Sequence, residues 1–134
     1  MIIYQRRVYP EDLQSNPQVY YLFSDNDKRS GHWTFRDYDN FLGIRIKNDE
    51  HSFDNSYWSD TTYEDNISKI KTDFNKVQNA LKQLIPIIYS EQTFNFNISE
   101  YQIKSPKTYK YFQKKLDFMQ KNIHNDYYKW DTKI

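Results

Sequence analysis

The sequence contains no cysteine and only two glycines among its 134 residues. The absence of cysteine excludes disulfides, thiolate nucleophiles and cysteine-ligated metals, and it is typical of proteins kept in a reducing cytosol. With so few glycines, the chain fits neither a glycine-rich phosphate loop nor the glycine-flanked turn that presents a nucleophilic serine. The two commonest sequence signatures of phosphate binding and of nucleophilic hydrolysis are therefore missing.

Long apolar runs and clustered metal ligands are missing too. No stretch approaches the 18 apolar residues that predict a membrane span, and the N-terminus lacks the apolar region of a signal peptide. The three histidines, His32, His51 and His124, stand far apart and without metal-binding spacing. We therefore expect a cytoplasmic protein with no membrane partner, no bound metal and no cofactor.

Aromatic residues are abundant instead. The mean hydropathy of −1.03 would by itself suggest disorder, but 13 Tyr, 9 Phe and 3 Trp supply large side chains that can be buried. A chain of this length fits one domain. We predict a single folded domain over residues 1–134, with the aromatic segment 123–134 as a docking tail, and a homo-oligomer stays compatible with the sequence.

The formal net charge is +1, and its distribution is uneven. Asp49 to Asp65 holds six acids and no Lys or Arg, whereas Lys104 to Lys121 holds six Lys and one Asp. These segments could face each other, solvent or a partner. Because proteins that stack single-stranded nucleic acid normally carry a net basic field, the overall charge argues against nucleic acid as a partner.

Hydrophobic patterns predict an α/β fold. Apolar residues recur with helical spacing over Thr61–Leu84 and again over Ser105–Asn122, where Ser105 and Pro106 fit a helix start. Five short segments have the apolar runs or alternation of strands: Ile2–Tyr4, Val19–Ser24, Phe41–Lys47, Ile85–Tyr89 and Thr93–Ser99. We predict a small mixed sheet of about five strands packed by these two amphipathic helices.

The polar loop between the second and third strands is the best candidate for a functional surface, since α/β proteins usually present ligand-contacting groups at strand ends. Arg29 and Arg36 can bind an anion through planar, bidentate hydrogen bonds, and Trp33 offers a stacking face. The alternative is structural: Trp33 packs in the core, and the arginines pair with nearby aspartates such as Asp25.

The same segment resembles a family of small, largely uncharacterised phage and bacterial proteins whose motif runs Tyr-Leu-Phe-Gly-Asp-Asn, then Arg, Gly, a Gly-Gly-Gln-Ala loop, Arg, Asn and Gly-Ile-x-Thr-Lys. The matching residues here are Tyr21, Leu22, Phe23, Asp25, Asn26, Arg29, Gly31, Arg36, Asn40, Gly43, Ile44 and Lys47. Segments at Ser56–Asp60 and Ser105–Tyr109 continue the likeness. The paired glycine loops of that family are similar to those of ADP-ribose-binding macro domains, which implies a macro-domain-like fold.

This sequence departs from the motif at both glycine loops. The Gly-Gly-Gln-Ala loop is absent between Gly31 and Arg36, and the later glycine-rich turn is replaced around Glu91 to Glu100. Loss of both loops removes the grip on a diphosphate that the resemblance implies. We therefore expect binding without catalysis.

The function predicted from these observations is a non-enzymatic binder of a nucleotide-type small molecule, and the phage resemblance implies a counter-defence protein that sequesters a host nucleotide signal in the host cytoplasm. The predicted ligand-binding residues are Asp25, Asn26, Arg29, Trp33, Arg36, Lys47, Tyr57 and Trp58. Two alternatives remain open. One is an inhibitor that contacts a host defence protein, and the other is an ADP-ribose-processing hydrolase with Asp25 and Asn26 as its candidate catalytic residues.

Overall fold

The computed structural model of the protein describes residues 1–53 and 55–124. Its strands are β1 (Ile2–Tyr4), β2 (Tyr20–Asn26), β3 (Phe41–Lys47), β4 (Ile87–Tyr89) and β5 (Ile123–His124). Its α-helices are α1 (Pro10–Ser15), α2 (Tyr63–Lys82), α3 (Ile98–Lys104) and α4 (Pro106–Lys121). Short 3-10 helices occupy Trp33–Asp37 and Asp60–Thr62. Residues 125–134 of the predicted docking tail lie outside the described part of the chain.

The strands form one sheet in the order β3-β2-β4-β1-β5. The predicted α/β class is confirmed, but the strand pairs within the described residues are parallel rather than mixed. Parallel pairing follows from the connections, because each one crosses a face of the sheet before the chain re-enters it in the same direction. An isolated antiparallel bridge links Lys47 to Tyr57 outside these strand pairs.

The two faces of the sheet carry different layers. One face packs against α2 and α4 around Leu22, Ile44, Ile70, Phe74 and Phe112, all of which are nearly inaccessible to solvent. The other face is covered by α1 and the Trp33–Asp37 segment in a smaller cluster, which includes Leu13 and Phe23. Burying each such side chain contributes about 1.5–3 kcal/mol. None of the helices in the described residues is both long and apolar enough to cross a bilayer.

The prediction of a strand over Thr93–Ser99 is wrong. The segment forms a turn and then enters α3, with Asn97 as the N-cap whose side chain accepts a hydrogen bond from the Glu100 amide. Thr93 bonds to β2 instead, through its hydroxyl to the Leu22 carbonyl. Phe94 is buried because its ring stacks on Phe112 of α4. Alternating aromatic and polar residues can therefore arise without a strand.

The start of α4 lies where the sequence predicts it, but a different residue caps it. Ser105 is the N-cap by position and makes no side-chain cap hydrogen bond. The Asp60 carboxylate accepts hydrogen bonds from the Lys107 and Thr108 amides at 2.8 and 3.0 Å. A negative charge at this helix end also interacts favourably with the helix dipole. Asp60 therefore joins the start of α2 to the start of α4.

Candidate functional site

The turn that follows β2 has an unusual backbone. Arg29, Gly31, His32 and Trp33 all have φ between +48° and +80°, the left-handed region that residues with side chains rarely adopt. Such conformations persist only where surrounding contacts enforce them, and they concentrate at functional sites. Here they place the Arg29 side chain back over the edge of the sheet.

Asp25, near the end of β2, is the anchor for two arginines. Its side chain is fully buried, and its Oδ1 accepts a hydrogen bond from Arg36 Nη2 at 2.7 Å while Oδ2 accepts from Arg29 Nη1 at 2.8 Å. Arg36 is fixed further because its Nε donates to the Gly31 carbonyl and its Nη2 to the Ser30 carbonyl. The turn and the end of β2 are thus locked together by charge-assisted hydrogen bonds.

Gly43 of β3 leaves the space that the Asp25 carboxylate occupies. A β-carbon at residue 43 would lie 2.4 Å from Asp25 Oδ2 and 3.0 Å from its Cβ and Cγ. The φ of Gly43 is not in the left-handed region, so the need for glycine comes from this close approach rather than from backbone conformation.

A second buried carboxylate completes the cluster from the opposite layer. Asp73 of α2 is fully buried and accepts hydrogen bonds from the Arg45 amide at 2.8 Å, from Arg45 Nε at 3.0 Å and from Arg29 Nη2 at 3.2 Å. Arg29 therefore bridges the two aspartates across the edge strand β3. The bond to the Arg45 amide also occupies a backbone donor on that exposed edge.

Asp73 and Arg45 are not among the residues predicted to form the site. A signal was present, because Asp73 falls on the apolar stripe of α2 with Ile70, Phe74 and Val77. A charged residue on a buried helix face needs a buried partner of opposite charge. That position therefore points to an arginine on the sheet beneath the helix.

The arginines keep Asp25 ionised. Burial alone would raise the pKa of Asp25, but hydrogen bonds and charge from Arg36 and Arg29 outweigh it and hold the pKa below its ordinary value. Burial alone would likewise lower the pKa of Arg29, and the two aspartates more than offset that effect, so its pKa is raised. The cluster joins three arginines to two buried aspartates, so it has one more guanidinium group than carboxylates.

A cleft of about 580 Å³ opens along the β3 edge, between the turn after β2 and the second half of α2. It exists because the segment after β2 and the helix after β3 pass on opposite faces of the edge strand. Its polar lining includes Arg29, Arg36, Asp39, Lys76, Asn79 and Gln83, and Tyr20 and Phe41 add aromatic surface. This volume lies within the usual range for small-molecule sites.

Arg29 presents unused donors to this cleft. Within the described residues its Nη1 bonds to Asp25 and its Nη2 to Asp73, and no acceptor contacts its Nε. The side chain is 38% exposed. Lys76, on the opposite wall, is exposed and has no ion-pair partner among the described residues. Both aspartates of the cluster are inaccessible, so Asp39, which is exposed, is the one carboxylate among the described lining residues that a ligand can meet beside Arg29, Arg36 and Lys76.

Three of the predicted site residues, Asp25, Arg29 and Arg36, come together in this way. Asn26 does not reach the cleft, because its buried side chain shapes the turn by accepting from the Lys28 and Ser30 amides and donating to the Ser30 carbonyl. Trp33 is 80% exposed and does not line the cleft. It therefore neither stacks there nor packs in the core.

The remaining predicted residues lie at the carboxyl end of the sheet. Lys47 donates to the His51 carbonyl and lies over the Tyr57 ring, and burial holds its pKa below the ordinary value. Tyr57 is buried in the core, and Trp58 is buried with its Nε1 donating to Asp27. These two rings are structural in this fold and offer no free stacking face.

The described residues contain no group of three or more histidine, aspartate or glutamate side chains placed to hold a metal ion. The charged cluster and its open donors instead suit an anionic ligand.

The fold and the site together define the protein as a parallel α/β domain with an arginine-lined cleft at the edge of its sheet. The chain belongs to a family of unknown function, DUF7831, which matches residues 3–115. This match includes every residue of the cleft. No curated protein matches the sequence, and no solved structure matches it.

Proposed function

We propose that the protein binds a nucleotide-type small molecule in the cleft beside β3. The observation that carries this proposal is the arginine cluster, in which two buried aspartates hold Arg29 in place while its Nε and one Nη2 hydrogen stay available to a ligand. A guanidinium oriented in advance loses little freedom when it binds a phosphate or carboxylate.

The rest of the lining favours a nucleotide over a simple anion. Lys76 and Asn79 lie on one face of α2, and they line the cleft together with Gln83, the residue that caps the end of this helix. Lysine supplies a second positive charge for a phosphate, and the two side-chain amides can donate to and accept from the polar edge of a base. Tyr20 adds partly exposed aromatic surface for a base or ribose, whereas the Phe41 ring is stacked on Phe23 and lies under the Arg36 guanidinium.

The geometry supports binding rather than turnover. A general acid or base needs a free oxygen within reach of the substrate and a pKa near the working pH. Both oxygens of Asp25 are occupied by arginines, its side chain is inaccessible, and its pKa is lowered. Asp25 therefore serves as an anchor for cations, and the hydrolase alternative has no acid positioned by this cluster.

The biological role that we attach to this binding comes from the sequence resemblance to phage proteins and to macro domains. In that role the protein sequesters a host nucleotide signal in the cytoplasm of an infected cell. Binding without turnover suits sequestration, because the ligand is removed from solution and kept.

Titration calorimetry with AMP, ADP, NAD, ADP-ribose and a cyclic nucleotide tests the proposal. Lys76→Gln is the informative variant, because Lys76 is exposed, lines the cleft and forms no described contact whose loss would unfold the protein. Lys71→Gln is its matched control, an exposed lysine of the same helix that does not line the cleft. Since hydrogen bonds to charged groups contribute about 1.5–3 kcal/mol, Lys76→Gln should weaken binding about tenfold or more.

Saturable binding of at least one nucleotide, weakened in Lys76→Gln and unchanged in Lys71→Gln, supports the proposal. Failure of every nucleotide to bind the folded protein overturns it. Equal loss in both variants would mean that the ligand responds to overall charge and not to the cleft, and this result also overturns it.

A further inference from the structure

Two adjoining grooves run along the outer surface between α2 and α4, apart from the cleft. One of about 270 Å³ is lined by Tyr63, Lys107, Lys110, Tyr111 and Lys114. The other, of about 200 Å³, continues from Tyr111 and Lys114 to Lys115 and Phe118, with Phe74, Val77 and Gln78 on the side of α2. Because the two grooves share Tyr111 and Lys114, they form one continuous surface, here called the α4 groove.

The lysines of the α4 groove lie in a row. Lys107, Lys110 and Lys114 are exposed and follow the spacing that places residues on one side of a helix. Lys107 and Lys114 are seven residues apart, about 10.5 Å along the axis at 1.5 Å per residue. In all, α4 carries five lysines and one aspartate, so this helix is strongly basic in a protein whose formal net charge is only +1.

Aromatic rings alternate with these charges. Lys107 Nζ lies 5.4 Å from the centroid of the Tyr63 ring, and Lys115 Nζ lies 5.5 Å from that of Tyr111. Both rings are partly exposed, and Phe118 is 44% exposed at the far end. The hydroxyl oxygen of Tyr111 is buried and has no hydrogen-bond partner among the described residues. The groove therefore combines partly exposed aromatic rings with lysine side chains that lie over them.

We propose that the α4 groove binds single-stranded nucleic acid. Lysines in a row match the phosphates of an extended strand, and partly exposed rings between them match unstacked bases. A duplex fits less well, because its bases are stacked on one another and hidden from the rings. The net charge of the whole chain argues against nucleic acid at the level of sequence, but none of the described residues that line the α4 groove is acidic.

Fluorescence anisotropy with the full chain and a labelled oligothymidylate of about 12 nucleotides tests this proposal, since that length lies within the range of single-strand sites. If Lys107, Lys110, Lys114 and Lys115 each contact a phosphate, the logarithm of the association constant should fall against the logarithm of salt concentration with a slope of about −2.8. A duplex of the same length should bind more weakly.

Two variants separate charge from stacking. Lys110→Gln/Lys114→Gln removes two exposed lysines of the groove, and the salt slope should fall to about −1.4. Its matched control, Lys28→Gln/Lys82→Gln, makes the same charge change at exposed lysines outside the groove and should keep the slope. Tyr111→Leu keeps an apolar side chain but removes the ring, and it should weaken binding by about five- to 150-fold.

Circular dichroism confirms that each variant is folded before binding is measured. The proposal is overturned if the oligothymidylate does not bind, if the two double variants lose affinity equally, or if Tyr111→Leu binds as well as the unmodified protein. Since none of these substitutions touches a residue that lines the cleft, the outcome is independent of nucleotide binding there.

Discussion

Replacing Gly43 by alanine tests the arrangement of the arginine cluster through a single methyl group. The new Cβ would lie 2.4 Å from Asp25 Oδ2, and atoms in ordinary contact are at least 3.4 Å apart. The carboxylate cannot retreat without lengthening its bonds to Arg29 at 2.8 Å and Arg36 at 2.7 Å. The substitution therefore forces either strand β3 or the Asp25 carboxylate with its two arginines to move.

The magnitude follows from three opposing effects. Forcing a methyl group into a filled space costs about 1–3 kcal/mol, and a weakened hydrogen bond to a charged group costs up to about 1.5–3 kcal/mol. The alanine restricts the unfolded chain, which returns about 0.4–1 kcal/mol. We expect the free energy of unfolding to fall by about 2–3 kcal/mol and the melting temperature by roughly 10 °C for a chain of this size.

Urea unfolding and thermal melts measure the effect, and a second background isolates its cause. In Asp25→Ala, which has no carboxylate to displace and keeps only a Cβ 3.0 Å from the new methyl group, adding Gly43→Ala should cost clearly less than in the unmodified protein. If Gly43→Ala is neutral in the unmodified protein, or equally destabilising in both backgrounds, then Asp25 does not lie over Gly43 and the proposed cluster is wrong.

Three further predictions concern single groups. The pKa of Asp25 is lower in the folded than in the unfolded protein, so the stability that Asp25 contributes is present above about pH 4 and is lost as the pH falls through its folded pKa. The midpoint of urea unfolding, measured at successive acid pH values, should therefore decline less in Gly43→Ala, where the bonds of Asp25 are weakened, than in the unmodified protein. Leu84 follows the end of α2 with a left-handed φ of 60° and is 85% exposed. Because glycine adopts this conformation without strain, Leu84→Gly should raise the free energy of unfolding by about 1 kcal/mol, whereas Leu84→Ala should not raise it. Asp60→Ala should lower the free energy of unfolding by about 1–2 kcal/mol, because α4 loses its cap. If urea unfolding gives the variant the same free energy of unfolding as the unmodified protein, Asp60 does not have that role.

The regular elements were predictable where one pattern dominated. The spacing of Ile70, Phe74 and Val77 identifies α2 to within two residues at each end, and the alternation in Phe41–Lys47 gives β3 its observed bounds. The segment Thr93–Ser99 shows the limit of such patterns, because aromatic rings can be buried by packing on a helix as well as by lying on a sheet.

The site was predictable only in part. The motif brought Asp25, Arg29 and Arg36 into consideration, and the structural alternative, that the arginines pair with aspartates, is also correct for Asp25. Asp73 and Arg45 are distant in sequence and meet only because α2 packs against the β3 edge. Tyr57 and Trp58 belong to a segment that resembles the family, and their burial could not be inferred without the fold.

The most direct test of the central claim observes Arg29 itself. Nuclear magnetic resonance of the arginine side chains follows the Nε–H group of Arg29, which contacts no acceptor within the described residues, during titration with AMP and, separately, with adenosine. We predict a saturable shift of this resonance with AMP and none with adenosine, because only the phosphate needs a guanidinium partner. An Arg29 resonance that stays unchanged at saturating AMP, or that shifts equally with adenosine, would contradict the account.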